Sequence, residues 1–137
     1  MRVADIMSRD VVTVGPDDDV LVVRKLFNKH GFHHVLVVLQ GQLVGVISDR
    51  DVLREASPFL DTLAERPQDL ATLKKRVHQI MSRNLVVARG DDSVADAAAT
   101  MLDRRVSCLP VVTAEGHVEG VVTSRDLLQA LTRGRAT

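Results

Sequence analysis

Short apolar runs and amphipathic stretches alternate along the first half of the chain in a regular order. The apolar run 11–14 predicts a short strand, and the stretch after it predicts a helix that ends near Gly31. The apolar face of that helix is formed by Val20, Val23, Leu26 and Phe27. The β-branched runs 35–39 and 43–47 predict a hairpin, and 48–56 predicts a second helix. The predicted order is strand, helix, strand, strand, helix.

The second half of the chain repeats this order. Residues 85–88 predict a strand, and the capped helix after it has an apolar face formed by Val94, Ala97, Met101 and Leu102. Runs 109–112 and 118–122 predict another hairpin, and 123–131 predicts the last helix. Because nearly continuous apolar strands are typical of burial on both faces, we expect helices to cover one side of each sheet. The opposite side of each sheet is then covered by the other half of the chain or by another subunit.

The repetition extends to individual residues. The tetrapeptide Ile-Met-Ser-Arg at 6–9 returns at 80–83, which is 74 positions later (80 minus 6). Asp51 returns as Asp126, which is 75 positions later (126 minus 51), so the second hairpin holds one extra residue. An internal repeat of this length predicts two copies of one structural unit. Each copy alone is too small to bury an adequate core, so we expect the two copies to pack on each other.

The repeat also predicts how the chain is divided. We expect a first repeat at 1–56, a linker at 57–76 that contains a helix over 70–76, and a second repeat at 77–137. Together the two repeats form one α/β module. A cleft shared by two related halves is a natural place for a ligand.

Composition and charge exclude several classes of function. The chain has 137 residues, 18 basic and 18 acidic side chains, no Trp, no Tyr and three Phe. Nucleic acid is an unfavourable partner because the chain lacks both a basic field and a row of aromatic residues. No apolar run is long enough to cross a membrane, and the start of the chain does not resemble a signal peptide, so we expect a cytoplasmic protein. Cys108 is the only cysteine, which excludes an internal disulfide, and we expect a buried, inert thiol.

Two short segments at strand-to-helix junctions carry the candidate chemistry. Ser48 and Asp51 in the first repeat correspond to Thr123 and Asp126 in the second, and each pair encloses an arginine. A hydroxyl residue followed three positions later by a carboxylate is typical of a helix capping box. The same groups suit a nucleotide, since a hydroxyl can meet a phosphate and a carboxylate can accept bonds from two vicinal ribose hydroxyls. The sequence leaves both interpretations open.

With these segments, the chain resembles a tandem pair of CBS domains, also called a Bateman module. The resemblance is carried by the duplicated Ile-Met-Ser-Arg opening, the segment 105–112, the glycine-led strands and the two Ser/Thr-x-Arg-Asp segments. It covers most of the chain except 57–76 and the last residues. It implies two β-α-β-β-α repeats around a pseudo-twofold axis and clefts that bind adenine nucleotides or related adenosyl ligands. It also implies disc-shaped dimers that regulate an enzyme or transporter.

The resemblance further implies that each cleft takes its ribose carboxylate from one repeat and its base pocket from the other. The first cleft would combine Ser48, Arg50 and Asp51 with Val86, Val87, Val106, Ser107 and Leu109. The second would combine Thr123, Arg125 and Asp126 with Val12, Thr13, Phe32, His33 and Val35.

The first repeat departs from the family pattern at two places. It has Leu36 where the second repeat has Pro110, and His33 and His34 where the second has Ser107 and Cys108. We therefore expect the cleft built on Asp51 to be the better one. The other cleft would bind more weakly or prefer a more anionic ligand.

No catalytic or metal site is expected. Neither His30 with His33 nor His33 with His34 has the i,i+4 spacing of a helical zinc site, and we expect Gly31 to end the helix between His30 and the other two. Phosphate contact or a surface position is therefore the favoured interpretation of these histidines. No nucleophile motif or phosphate loop is present, and the carboxylate runs 17–19 and 91–92 stand at helix starts. We expect no enzyme activity and no catalytic cofactor.

The sequence therefore predicts a freestanding regulatory module that senses an adenosine-containing nucleotide, such as AMP, ADP, ATP or S-adenosylmethionine. It would form a homodimer and modulate an unknown effector protein. The alternative is a structural dimerisation or scaffold module that binds no ligand and uses both aspartates only as caps.

Overall fold

The computed structural model describes residues 1–55 and 74–133 and has the predicted α/β class. Both repeats contain a long helix, a hairpin and a closing helix in the predicted order. The elements are α1 (Val3–Ile6), β1 (Thr13–Val14), α2 (Val20–His30), β2 (His34–Leu39), β3 (Gln42–Ser48), α3 (Asp49–Glu55), α4 (Val77–Ile80), α5 (Val94–Arg104), β4 (Cys108–Val112), β5 (Val118–Thr123) and α6 (Ser124–Thr132).

The elements form two compact units that differ from the two repeats of the sequence. Unit 1 contains Met1–Val11, Gln40–Leu43 and the described residues from Val86 onward. Unit 2 contains Val12–Leu39 and the described residues of Val44–Leu85. The opening helix α1 of the first repeat thus lies in unit 1, with the body of the second repeat. The opening helix α4 of the second repeat lies in unit 2, with the body of the first.

Unit 2 is built around the first-repeat sheet, whose strand order is β1-β2-β3. β1 runs parallel to β2, with Thr13 paired to Leu36 and Val14 to Val37. Helix α2 ends at Gly31, which has φ 71° and accepts the left-handed conformation without steric cost, as predicted. The buried core is formed by side chains from both strands and helices. These are Val14, Val20, Val23, Phe27, Val35, Val37, Ile47, Val52, Val77 and Met81.

Unit 1 is built around the antiparallel pair β4 and β5, and every residue of β4 is buried. Helix α5 begins at Ser93, whose side chain accepts a hydrogen bond from the Asp96 amide at 3.0 Å. The buried core is formed by Val3, Ala88, Ala97, Met101, Leu109, Val111 and Val122. The hairpin glycines Gly41 and Gly116 have φ 81° and 87°. They are 75 positions apart (116 minus 41), so the extra residue of the second hairpin precedes Gly116, within the predicted hairpin.

The two opening helices dock in the same way on the turn before a long helix. In unit 1 the Val3 amide donates to the Asp92 carbonyl at 2.9 Å, and the Arg2 guanidinium donates to the Asp91 carbonyl at 2.8 Å. In unit 2 the equivalent bonds run from Val77 to the Asp18 carbonyl at 2.8 Å and from Arg76 to the Asp17 carbonyl at 2.8 Å. Repeated backbone bonds therefore hold each opening helix in its unit.

Several sequence predictions need correction. The strand predicted at 85–88 is reduced to one parallel bridge between Ala88 and Val111, because residues 85–87 have no strand pairing. The first strand is shorter than predicted and covers only Thr13–Val14. Leu102 is 82% exposed, since Val94, Ala97 and Met101 already fill the buried stripe of α5.

The predicted linker also meets the structure only in part. The helix predicted at 70–76 is wrong for residues 74–76, where Arg76 is extended and caps α4. The rest of that helix, and residues 57–73 of the linker, lie outside the described residues. The repeat boundaries at 56 and 77 stay a prediction.

Candidate functional site

The first candidate junction lies where β3 passes into α3 in unit 2. The Oδ2 atom of Asp51 accepts the Ser48 amide at 2.8 Å and the Ser48 hydroxyl at 3.0 Å. The Asp51 amide in turn donates to the Ser48 hydroxyl oxygen at 3.2 Å. The Oδ1 atom of Asp51 accepts from the guanidinium of Arg54, one turn further along α3. The capping box predicted from the sequence is therefore formed.

The second junction repeats the capping box in unit 1, where β5 passes into α6. The Oδ2 atom of Asp126 accepts the Thr123 amide at 2.8 Å, and the Asp126 amide donates to the Thr123 hydroxyl oxygen at 3.2 Å. Both junctions thus use Oδ2 of the aspartate to satisfy the amide of the residue before the helix. The carboxylate's second oxygen is not needed for the cap.

Two histidines adjoin the first junction within unit 2. The Asp49 amide donates to the His33 carbonyl at 3.0 Å, and the His33 Nδ1 atom lies 2.8 Å from Asp49 Oδ2. Burial lowers the pKa of the His34 imidazole below 6.5. The charges around His34 act in both directions: Asp49 and Asp51 raise its pKa, whereas His33 and Arg50 lower it. A half-buried imidazole, whose charged form is disfavoured by burial, therefore lies beside this junction.

The second junction is bordered by a serine and a thiol instead. The Ser124 amide donates to the Ser107 carbonyl at 2.9 Å, which matches the bond between Asp49 and His33 in the other repeat. Burial, with a smaller effect from the Asp126 carboxylate, raises the pKa of the Cys108 thiol to about 12. Cys108 is a buried free thiol, as the sequence analysis predicted.

The aromatic ring of Phe32 already has partners inside unit 2. It stacks on the His30 ring with centroids 5.1 Å apart and meets the Phe27 ring edge-on at 6.0 Å. His33 faces Asp49, so the three clustered histidines have different surroundings. Within the described ranges, no group of three His, Cys, Asp or Glu side chains is arranged to hold a metal ion.

The predicted site residues divide between the two units. Unit 2 holds Val12, Thr13, Phe32, His33, Val35, Ser48, Arg50 and Asp51. Unit 1 holds Val86, Val87, Val106, Ser107, Leu109, Thr123, Arg125 and Asp126. Each predicted cleft takes residues from both units, and that combination stays a prediction. Val35 and Leu109 are buried in the cores of their units, at 1% and 0% exposure.

Two surface hollows of unit 1 lie away from the junctions. One of about 660 Å³ lies along α5 beside Leu102, and one of about 460 Å³ is lined by residues that include Arg2, Arg89 and Glu119. Neither hollow contains a predicted site residue. The candidate site is therefore described from the two junctions.

Comparison with known proteins decides the family. CBS domains match residues 3–58 and 77–133, which together contain both junctions. The chain belongs to the CBS domain family. Its two matched segments make it a tandem CBS pair, as the sequence analysis predicted.

Relatives of this CBS pair include proteins of similar and of greater length. It is 32% identical over 154 residues to the uncharacterized protein MJ1426 of Methanocaldococcus jannaschii. That alignment covers 96% of this chain and 91% of MJ1426. Six further relatives are longer, and the chain spans 22% to 62% of their lengths.

Solved structures of CBS pairs share the fold over nearly the whole chain. The CBS domain pair of protein MJ0100, in complex with 5′-methylthioadenosine and S-adenosyl-L-methionine, has a TM-score of 0.81 and 29% identity. CBSX2 in complex with AMP has a TM-score of 0.81 and 25% identity. Both comparisons cover 98% of this chain and 98% of the other chain. Both of these structures were solved with adenosine-containing molecules.

Two contacts at the first junction were absent from the sequence analysis. Arg54 was not singled out, although an arginine three residues after an aspartate on a helix lies on the same helix face and can pair with it. Asp49 was treated only as an interior residue of the motif, and its contact with His33 depends on the fold rather than on spacing.

Among the described helices, none combines the length and apolar character needed to cross a bilayer.

Proposed function

We propose that this CBS pair is a regulatory module that binds an adenosine-containing ligand, such as AMP, ADP, ATP or S-adenosylmethionine. The observation that carries the proposal is the pair of matching junctions, in which Oδ2 of a capping aspartate accepts the backbone amide of the residue three positions before it. Relatives with the same fold were solved with AMP, 5′-methylthioadenosine and S-adenosyl-L-methionine, which supports the choice of ligand class.

In this proposal the aspartates hold the sugar. A carboxylate has about four lone-pair positions on its two oxygens, so a cap that uses one oxygen leaves acceptors for a vicinal diol. Asp51 and Asp126 would each accept the two ribose hydroxyls, while Ser48 or Thr123 and the neighbouring arginine would face a phosphate or another polar group. Capping and ligand binding are then compatible functions of the same residue.

The base would lie against the opposite repeat, as the resemblance implies. The Asp51 cleft would use Val86, Val87, Val106, Ser107 and Leu109, and the Asp126 cleft would use Val12, Thr13, Phe32, His33 and Val35. A ligand that contacts both repeats binds the arrangement that brings these groups within reach more tightly, so it shifts the population toward that arrangement. This shift is the signal that an effector protein would detect.

Thermal unfolding with and without ligand tests the proposal. Saturation at about one hundred times Kd stabilises the fold by about 2.7 kcal/mol. At roughly 4 °C per kcal/mol, this corresponds to a rise in Tm on the order of 10 °C. We expect at least one of AMP, ADP, ATP, S-adenosylmethionine and 5′-methylthioadenosine to raise Tm. The double variant Asp51→Asn plus Asp126→Asn should lose that rise, because asparagine keeps a capping oxygen but loses the charge and the second acceptor.

The chain offers a matched control for these two aspartates. Asp18 accepts the Gly15 amide at 2.7 Å in unit 2, and Asp92 accepts the Arg89 amide at 2.8 Å in unit 1. Asp18→Asn plus Asp92→Asn perturbs similar backbone contacts away from the junctions and should keep the full ligand-induced rise. If none of the five compounds raises the Tm of the unmodified protein, the scaffold alternative replaces this proposal.

The assembly and the setting are also part of the proposal. We infer a homodimer in the cytoplasm that passes ligand occupancy to an effector chain. Leu53 on α3 and Leu128 on α6 occupy the same position in the two repeats and are 71% and 61% exposed, which suits a partner surface. Affinity purification with and without AMP tests the effector. The amount of effector captured by the unmodified protein should change when AMP is added. The amount captured by the Asp51→Asn plus Asp126→Asn variant should not change.

A further inference from the structure

The two junctions differ in how many donors already contact the aspartate. Asp51 accepts three: the amide and hydroxyl of Ser48 at Oδ2 and the guanidinium of Arg54 at Oδ1. Over the described residues, the only donor recorded at Asp126 is the Thr123 amide, at Oδ2. The residue equivalent to Arg54 is Gln129 (54 plus 75). The equivalent carboxylates are therefore not equally open to a ligand.

We propose that Arg54 is a built-in competitor for the ribose site on Asp51, so that the Asp51 cleft binds adenosyl ligands more weakly than the Asp126 cleft. This inference rests on the proposed function and adds a difference between its two sites. It also reverses the order of affinity that the sequence alone suggested.

Counting acceptor positions supports the competition. With about four lone-pair positions for each carboxylate, three donors leave about one position at Asp51, whereas one donor leaves about three at Asp126. A vicinal diol needs two positions at once. Asp126 can accept it directly, but Asp51 must first release Arg54 or a Ser48 contact.

The exposed fractions of the side chains indicate which of the contacts to Asp51 a ligand would displace. The Asp51 side chain is only 16% exposed, whereas the Arg54 side chain is 73% exposed. The Ser48 contacts are part of the capping box and stabilise the helix start, so their loss would weaken the fold. The arginine can exchange Asp51 for water at a small cost, because exposed ion pairs are weak. Competition of this strength changes affinity by about two- to fivefold.

The experiment exchanges the residues between the repeats. Arg54→Gln gives the first junction the side chain of the second, and Gln129→Arg makes the reverse change. Each variant is combined with an aspartate substitution that removes ligand binding by the other cleft. Arg54→Gln is combined with Asp126→Asn, and Gln129→Arg is combined with Asp51→Asn. Titration calorimetry uses adenosine, which has the ribose and base but no phosphate, and AMP as the phosphate-bearing probe.

We expect Arg54→Gln in the Asp126→Asn background to tighten adenosine binding about two- to fivefold. Gln129→Arg in the Asp51→Asn background should weaken it by a similar factor. Arg104→Gln, at the exposed end of α5, removes the same charge away from the junctions and should leave adenosine affinity unchanged. Circular dichroism confirms that each variant is folded before titration.

Unchanged or weaker adenosine binding by Arg54→Gln would overturn the inference. So would weaker AMP binding with unchanged adenosine binding, since this pattern identifies Arg54 as a phosphate contact. Failure of the proposed function has a different signature: neither probe would bind the unmodified protein, and none of the five compounds of the thermal test would raise its Tm. Binding that depends on Asp126 but is indifferent to Arg54 would leave the proposed function standing and refute only the competition.

Discussion

The thiol of Cys108 provides a sensitive report on the fold of unit 1. Burial raises its pKa to about 12, so on the order of one thiol in ten thousand is ionised at about pH 8. Because the thiolate is the reacting species, we expect iodoacetamide to modify native Cys108 at least about a hundredfold more slowly than the urea-unfolded chain. Mass spectrometry of the alkylated protein over time measures both rates.

The neighbouring residue supplies the control for this prediction. Ser107 precedes Cys108 and is exposed. The double variant Cys108→Ser plus Ser107→Cys moves the thiol by one position and should restore rapid alkylation in the native state. Native Cys108 that reacts as fast as this exposed thiol would contradict the burial of the side chain.

Burial of the His34 imidazole predicts a stability that depends on pH. Burial lowers its pKa in the folded state below 6.5, so the unfolded chain takes up a proton first as the pH falls. Above about pH 6.5 His34 is uncharged in both states and does not reduce the free energy of unfolding. As the pH falls from there through the folded pKa, protonation of the unfolded chain lowers that free energy. We expect urea unfolding to show lower stability at about pH 5.5 than at pH 7.5, and His34→Gln to reduce that difference.

Groups that face His34 define the control for this measurement. Asp49 and Asp51 favour the charged imidazole, and His33 and Arg50 oppose it, so none of these residues is a neutral comparison. His117 is exposed in the second hairpin, and His117→Gln is the matched variant with which the effect of His34→Gln is compared. An unchanged pH slope in His34→Gln would refute the role given to this imidazole.

For single residues, the sequence predicted the two junctions but not which donors contact each aspartate. The spacing of Ser48 and Asp51 supports a cap and a sugar site equally, because one carboxylate oxygen is enough for the cap. The contact of Arg54 with Asp51 decides how open the second oxygen is. That contact depends on a side-chain conformation, which the spacing permits but does not require.

At the scale of elements, the exchange of opening helices depends on close packing against two glycines. A Cβ atom at Gly120 of β5 would lie 2.6 Å from the Ser8 carbonyl oxygen and 2.9 Å from Met7 Sδ. A Cβ at Gly45 of β3 would lie 2.5 Å from Met81 Sδ. Each glycine therefore admits the segment that follows the opening helix of the other repeat.

Alanine at these glycines should loosen the exchanged segments. We expect Gly120→Ala to lower the free energy of unfolding by about 1–3 kcal/mol, because the nearest atom is a backbone oxygen that cannot move alone. Gly45→Ala should cost less, since the Met81 side chain can adopt another rotamer. Urea unfolding of both variants measures the order.

Two further variants separate close packing from a general effect of alanine. Gly90→Ala would place its Cβ 3.5 Å from the Ala4 Cβ, which is ordinary contact, so its stability should stay near that of the unmodified protein. Met81→Ala should recover part of the loss caused by Gly45→Ala, and the double-mutant cycle measures that coupling. Equal losses at Gly45, Gly90 and Gly120 would show that the close approach is not the cause.

The elements that the sequence predicted poorly are those with few residues or few partners. Helices α1 and α4 have four residues each, which is too short for a 3.6-residue period to be visible. The strand predicted at 85–88 has apolar residues, but only Ala88 finds a ladder partner. Long helices and β-branched hairpins were predicted correctly because pattern, turn residues and length agree there.

At the scale of the whole molecule, the repeat predicted two related halves but not which segments belong together in space. Sequence similarity places α1 with the first repeat, yet its Val3 belongs to the core of unit 1. Val77 of α4 likewise belongs to the core of unit 2. Both copies carry the same opening sequence, so local pattern cannot distinguish docking on one copy from docking on the other.

The proposed homodimer makes a prediction about equivalent leucines of the two repeats. Leu53 and Leu128 are 71% and 61% exposed on the closing helices α3 and α6, and full burial of a leucine side chain contributes about 1.5–3 kcal/mol. We expect Leu53→Asp plus Leu128→Asp to convert the dimer to a monomer in sedimentation velocity, because a charge in an apolar interface is unpaired. Leu102→Asp, at an 82% exposed position on α5, should leave the dimer intact, whereas equal dissociation by both variants would argue against an interface on the closing helices.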